Sequence, residues 1–437
     1  MRKIIAILLL CLCIVLSSCG CKSATHEPGD MLRPPKLSGA LEPIENALKK
    51  SIAGDYTLMY PTIGEYSSSV IKRSLSKSQK SIAIAFYKTV EGNETFMHLN
   101  VIVKKGDNWK SVADQKVYAG GVNRVDFCDL DGDGICEILV GWEVYGTSEM
   151  QLAVYSFNNK NLTEKMNERY SYFVCSDLNE DSKNEILIIN YNKAEGTNYA
   201  GLYELGEDGP AEIGGCGLDP TVKAVSQPIL SKLSNNKPAV YVEETKGAGA
   251  VTEVLFWEKG ALVNPLLDTV INETTRTLHS SATYCRDING DNIIEIPVRE
   301  VLPSFGKASD EVLYYTNWCK YNGESLLAVD TTLINFNDGY YIDIPDKWYG
   351  NISVAKNNDS GLREFYRYDV ENDISGRKLV AIKTFNAKKW DKGDYKNLDY
   401  TLLCRNGDTV IVGWVCATDD PLAVNIKELK SYIKIIE

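Results

Sequence analysis

The chain has 437 residues, of which 47 are Lys or Arg and 59 are Asp or Glu, giving a formal net charge of −12. So acidic a balance excludes nucleic acid as the partner, because phosphate recognition needs clustered Lys and Arg. The length exceeds one typical domain, so two domains, or a large repeat array with an added domain, are expected.

At the start, Arg2 and Lys3 precede a 13-residue apolar run, Ile4 to Leu16. That falls short of the roughly 20 residues a membrane span needs and suits the core of a secretory signal. The next residues, Leu16-Ser17-Ser18-Cys19, resemble a bacterial lipobox. The resemblance implies cleavage before Cys19, a diacylglyceryl group on its thiol and an acylated, palmitate-type amino terminus. Cys21 fits worse, since Ser18 stands three residues before it. An ordinary secretory signal with incidental cysteines is the alternative. Two or more acyl chains anchor a protein stably. Residues 1–18 are thus read as a leader, and 19–41, with Arg33-Pro34-Pro35 and no periodicity, as a tether. The protein is expected outside the cytoplasm, lipid-anchored to the cell membrane. Losing Arg2 and Lys3 leaves 45 basic against 59 acidic residues, or −14.

Of the 12 cysteines, Cys11 and Cys13 would leave with the leader and Cys19 would carry lipid. The remaining nine are scattered, several inside apolar runs (Cys128, Cys175, Cys285, Cys416), and read as small buried hydrophobes. An odd count does not suit a full disulfide framework.

Leu41 to Ile52 has the spacing of a short amphipathic helix. Beyond it three segments superimpose. The first is Asp129, Asp131, Asp133, Ile135 and Glu137, before Ile138-Leu139-Val140. The second is Asp177, Asn179, Asp181, Lys183 and Glu185, before Ile186-Leu187-Ile188. The third is Asp287, Asn289, Asp291, Ile293 and Glu295, before Ile296-Pro297-Val298. These are positions 1, 3, 5, 7 and 9 of one pattern, separated by 48 and then 110 residues, the latter being twice 55. Degenerate copies at Leu233 to Lys237 and at Ser74 to Ser78 keep the following strand and lose the acids. Five units of about 50 residues result.

Calcium takes six to eight oxygens at about 2.3–2.6 Å, and alternating short carboxylates on a tight loop can supply them. Position 7 would offer a main-chain carbonyl, so Ile135, Lys183 and Ile293 can differ there. Gly132, Gly134 and Gly290 suit a turn with positive φ. An EF-hand needs Glu at position 12, where Val140, Ile188 and Val298 stand instead. The pattern resembles the calcium loops of FG-GAP and VCBS repeats, the units of integrin-α-type and related bacterial β-propellers. The resemblance implies a propeller-like array over 42–330 with structural calcium, the first loop, with four acids, binding most tightly. Asp and Asn also build metal-free turns, and that alternative stands beside the calcium reading.

Alternating runs between the loops, Met97 to Val103, Gln151 to Phe157 and Val251 to Trp257, read as antiparallel strands. A 50-residue unit has room for four strands, one blade. The expected fold is mainly β, a propeller-like array followed by a small α+β domain at 331–437. In that domain Tyr340 to Pro345 reads as a strand and Asn406-Gly407 as a hairpin turn. Leu422, Ile426, Leu429, Ile433 and Ile436 form a helical stripe capped by Asp420 with Pro421 next. Trp348, Trp390 and Trp414 are either core or the lining of a glycan or peptide site.

The three histidines, His26, His98 and His279, sit in no HExxH pattern, and no GxSxG or phosphate loop occurs. The expected function is a lipid-anchored surface binding or scaffold protein, contacting a surface protein, peptide or glycan. The alternative is a secreted hydrolase or lyase, with its site in a propeller channel or the C-terminal domain.

Overall fold

A computed structural model describes Gly39 and residues 41–436, apart from 78–80, 159, 193–196, 304–311, 358–360, 394 and 396–398. The leader, Cys19 and nearly all of the tether lie outside the described residues.

The fold is mainly β, a succession of antiparallel sheets taken in chain order. The first joins Thr57–Met59 and Val70–Arg73, end to end on one edge, to Ile82–Glu91, Glu94–Lys105 and Asn108–Val117. The second holds Gly121–Cys128, Glu137–Glu143, Met150–Phe157 and Leu162–Tyr170. The third holds Tyr172–Ser176, Glu185–Asn192, Thr197–Gly206 and Gly209–Gly217. In the fourth, Ala224–Val225 and Ile229–Lys232 share the edge beside Pro238–Lys246, followed by Gly249–Glu258 and Ala261–Val263. The fifth runs Ile296–Val301, Tyr314–Tyr321, Leu326–Asn335, Tyr340–Asp343 and then Ile433–Ile435. Its strand Leu326–Asn335 passes through residue 330, so this sheet draws on both sides of that position. The sixth comprises Ile352–Asn357, Leu362–Asp369, Ile374–Asn386, Thr409–Val415 and Thr401–Asn406.

Why these runs are so apolar follows from how the sheets stack. Successive side chains of a strand point to opposite faces. Ile186 and Ile188 pack with Leu139, Val154 and Phe173 toward the second sheet. Their neighbours Leu187 and Ile189 pack with Val240, Val242 and Leu255 toward the fourth. Further cores join the first sheet to the second (Phe86, Leu99, Val140, Tyr155), the fourth to the fifth (Tyr241, Phe256, Ile296, Tyr321), and the fifth to the sixth (Tyr315, Ile342, Trp348, Phe365). Strands buried on both faces lose the polar half of their alternation, as in buried parallel sheets.

Each end of this succession is covered by a helix. Ile44, Ala47 and Leu48 of Glu42–Ser51 pack on Ala83, Ala85, Tyr87 and Ile102, the outer face of the first sheet. Ala387 and Trp390, from the short helix Ala387–Lys392, pack on Val410 and Val412 of the sixth. Both helices bury a sheet face that would otherwise meet water.

Two local expectations are corrected. The two-residue turn of the last hairpin is Gly407-Asp408, because Asn406 already pairs with Thr409; Gly407 takes the positive φ, +53°. The C-terminal helix spans only Ile426–Tyr432. Its cap is Asn425, which forms a capping box with Glu428. Asp420 instead accepts from the Leu422 N–H in a turn, and Ile433 already belongs to a strand.

Candidate metal centres

The repeat pattern falls at equivalent places. The first two acidic loops join the first and second strands of their sheets, and the third is closed by a bridge between Arg286 and Glu295. All three share one hydrogen-bond net. The position-1 carboxylate accepts from the N–H of position 6 in all three, and in the first and third also from that of position 4: Asp129 from Gly132 and Gly134, both 2.9 Å; Asp287 from Gly290 (2.7 Å) and Asn292 (2.8 Å). Asp177 accepts from Asp181 (3.1 Å) and Ser182 (3.0 Å). Position 3 accepts from the N–H of position 5, and position 5 from that of position 7, namely Ile135, Lys183 and Ile293. Position 9 reaches back to the N–H of position 2: Glu137 to Leu130 (2.9 Å), Glu185 to Leu178 (2.7 Å), Glu295 to Ile288 (2.9 Å). Leu130 and Leu178 are themselves buried in core, which pins the loops to the sheets.

Positions 4 and 6 are left-handed in every copy. Gly132 and Gly134 have φ of +75° and +82°, Gly290 and Asn292 +81° and +62°. In the second loop Glu180 (+63°) and Ser182 (+76°) take the same conformation without the freedom of glycine, at a cost of about 1 kcal/mol each.

The net brings carboxylates together. Asp129, Asp131 and Glu137 place one oxygen each within 4.8 Å of one another; so do Asp177, Asp181 and Glu185, and Asp287, Asp291 and Glu295. Asp133, although at position 5, is not part of the first trio. In each trio the Glu is buried. Burial, reinforced by the neighbouring aspartates, pushes the Glu137 and Glu185 carboxyls up to about 7. Oε1 of Glu185 is buried with no hydrogen-bond partner among the described residues. Such groups can hold a metal ion. The third trio differs, because Lys320 pairs with Asp291 and lies 3.5 Å from Glu295. Its ammonium opposes the upward shift that burial imposes on Glu295.

Lys320 escaped the sequence reading because it lies outside the repeat pattern. A second polar group was also missed, although acids interrupt the apolar runs at Glu243-Glu244 and Glu253. Glu244 and Glu253 are buried between the third and fourth sheets with Tyr191, whose hydroxyl donates to Glu244 at 2.5 Å. Asp219 pairs with Lys246 (2.7 Å) beside them. On the other face His279 meets Glu243 at 2.6 Å through Nε2, while Nδ1 faces the Thr277 carbonyl at 2.7 Å. His98 is likewise engaged at both nitrogens, by Asp114 and Thr89. Trp348 is core, and Trp390 and Trp414 are half-buried.

The eight described cysteines form no disulfide. Cys285 and Cys319 are buried, and five more are half-buried. Burial pushes the Cys319 and Cys404 thiols up to about 11 and that of Cys216 to about 12. Cys416 departs from the expected burial: it lies exposed just past the strand Thr409–Val415.

No family model matches the chain, and no curated protein matches it. Solved structures to which it is similar include the exotype rhamnogalacturonan lyase YesX, at 11% identity over 74% of this chain and 83% of that one, with a TM-score of 0.31. A rhamnogalacturonan lyase from Bacillus licheniformis stands at 12% over 74% and 75%, also 0.31. An exo-β-1,3-galactanase from Phanerochaete chrysosporium stands at 10% over 76% and 79%, with 0.25. Likenesses this distant transfer neither an activity nor a detailed architecture to this chain.

Proposed function

We propose that this is a lipid-anchored surface binding or scaffold protein, built as a propeller-like array of FG-GAP/VCBS-type repeats whose acidic loops are stabilised by calcium. The observation that carries the calcium reading is Glu185. A buried carboxylate oxygen with no partner, in a trio of carboxylates with oxygens within 4.8 Å, is an arrangement that folding disfavours unless a cation joins it. The hard, all-oxygen donor set suits calcium rather than zinc. The stacked sheets and the repeated position of the loops support the propeller-like reading. Calcium here would hold the acidic loops that precede Glu137–Glu143, Glu185–Asn192 and Ile296–Val301, and carry out no chemistry. The alternative, a secreted hydrolase or lyase, stands beside it: His98 has Asp114 on Nδ1 and Thr89 on Nε2, and His279 lies between the Thr277 carbonyl and Glu243, carboxylate–imidazole pairs of the kind such chemistry uses.

Two experiments test this reading. Isothermal titration with calcium should detect sites with Kd of about 10⁻⁴–10⁻³ M; an absence of heat at millimolar calcium would remove the metal. Cell fractionation should find the protein in the membrane fraction and the Cys19→Ser variant as unprocessed precursor. Detergent-released, processed protein in that variant would remove the anchor.

A further inference from the structure

A cavity of about 640 Å³ lies where the fourth, fifth and sixth sheets meet, within the roughly 300–1,000 Å³ usual for small-molecule sites. In a chain of net charge −12 its lining is inverted. It includes Lys246, His279, Arg299, Lys356 and Arg363, and no Asp or Glu among the described residues. Two of these groups are already answered from behind: the Lys246 ammonium by Asp219 and Glu273, and the His279 ring by Glu243. Arg299 and Arg363 are not. Neither has a carboxylate within ion-pair reach among the described residues, and they approach from different sheets, on Ile296–Val301 and Leu362–Asp369. Arg363 is 9% exposed, and a guanidinium that far from water needs an anionic or strongly accepting partner. Next to it lies the Tyr340 hydroxyl, fully buried, facing the same cavity and near Asn335 and Arg363, with no hydrogen bond of good geometry among the described residues.

We infer that this cavity binds an organic anion, its carboxylate or phosphate held between Arg299 and Arg363 and its body against Tyr314. Guanidinium forks match both oxyanions in geometry, and two that line one cavity from different sheets can fix one group in orientation. Arg299 already stacks over Tyr314, 5.0 Å from the ring centroid, which leaves a flat apolar surface beside the charge. A sugar ring bearing an acid group has this combination of a charged end and a stackable face. The site is independent of the calcium loops, so either proposal can fail alone.

The test is calorimetric titration of the full chain, in chelator, with D-glucuronate, glucose 6-phosphate and glucose. One or both charged sugars should bind, and the better of the two names the source of the anion; glucose should bind at least 10-fold more weakly, the equivalent of about 1.4 kcal/mol. Arg299→Gln, at an exposed position, should weaken binding by a similar factor while melting close to the wild-type temperature. Arg363→Lys keeps the charge but not the fork and should fall between. Equal binding of glucose and the charged sugars, no binding of any, or binding unaffected by Arg299→Gln would each overturn the proposal.

Discussion

The Lys320 ammonium pairs with Asp291 and stands 3.5 Å from Oε1 of Glu295, so the third acidic loop already holds a positive charge of its own. The first and second loops have no such lysine paired to their trios among the described residues. Their glutamates are pushed up to about 7, whereas Lys320 counters that shift in the third. Three near-identical sequence patterns therefore differ in how much of their acidic charge is already neutralised.

Lys320→Met should raise the calcium stoichiometry from two to three. The methylene stem would still pack, but the charge competing with calcium would be gone. Calorimetry reads the number directly. An unchanged stoichiometry would mean that the lysine does not compete for the site.

The second loop carries backbone strain the others avoid. Glu180→Gly or Ser182→Gly should relieve a left-handed non-glycine residue and stabilise the fold, by at most about 1 kcal/mol once the added freedom of the unfolded chain is deducted. Urea unfolding of each variant checks this. Destabilisation would show that the side chain earns its place through contacts that outweigh the strain.

Glu244 links stability to pH. Burial and the nearby Glu253 charge hold its carboxyl well above the ordinary value of 4.5, so it stays protonated in the fold while the unfolded chain ionises. Its contribution is therefore complete below pH 4.5 and is lost as pH rises toward the folded value. Glu244→Gln keeps the shape and can still accept from the Tyr191 hydroxyl. Its melting temperature, measured in chelator, should gain on the wild type steadily from pH 4.5 to 8. Parallel curves would mean that Glu244 is ionised in the fold.

The helix Glu42–Ser51 acts as an end cover. Leu48→Ala removes a side chain that is fully buried and should cost about 2–5 kcal/mol. A loss below about 1 kcal/mol in urea unfolding would show that the first sheet does not depend on its cover.

Much of this was legible in the sequence, because repetition supplies its own check. Three copies of one spacing located the acidic loops, and Gly132, Gly134 and Gly290 marked left-handed positions that the structure extends to Glu180, Ser182 and Asn292. The helix over Leu41 to Ile52 and the strands around Val154 and Val254 were readable from their periodicity. What escaped had no local signature. Lys320 reaches the third loop from another strand. Arg299 and Arg363 meet at one cavity from strands 64 positions apart, a juxtaposition only the stacking of sheets creates. The C-terminal helix was placed too early because Asp420-Pro421 imitates a helix start, whereas the reciprocal bonds of Asn425 and Glu428 decide it.

The most direct measurement is thermal unfolding of the chain from Lys22 onward, in calcium and in chelator, beside the Asp177→Ala, Asp181→Ala variant. Calcium at tenfold its Kd should stabilise the wild type by roughly 1.4 kcal/mol per site, and the variant should lose the share due to its loop. Identical melting of the wild type in calcium and in chelator would contradict the account, and would leave the three loops as turns held by their own aspartates.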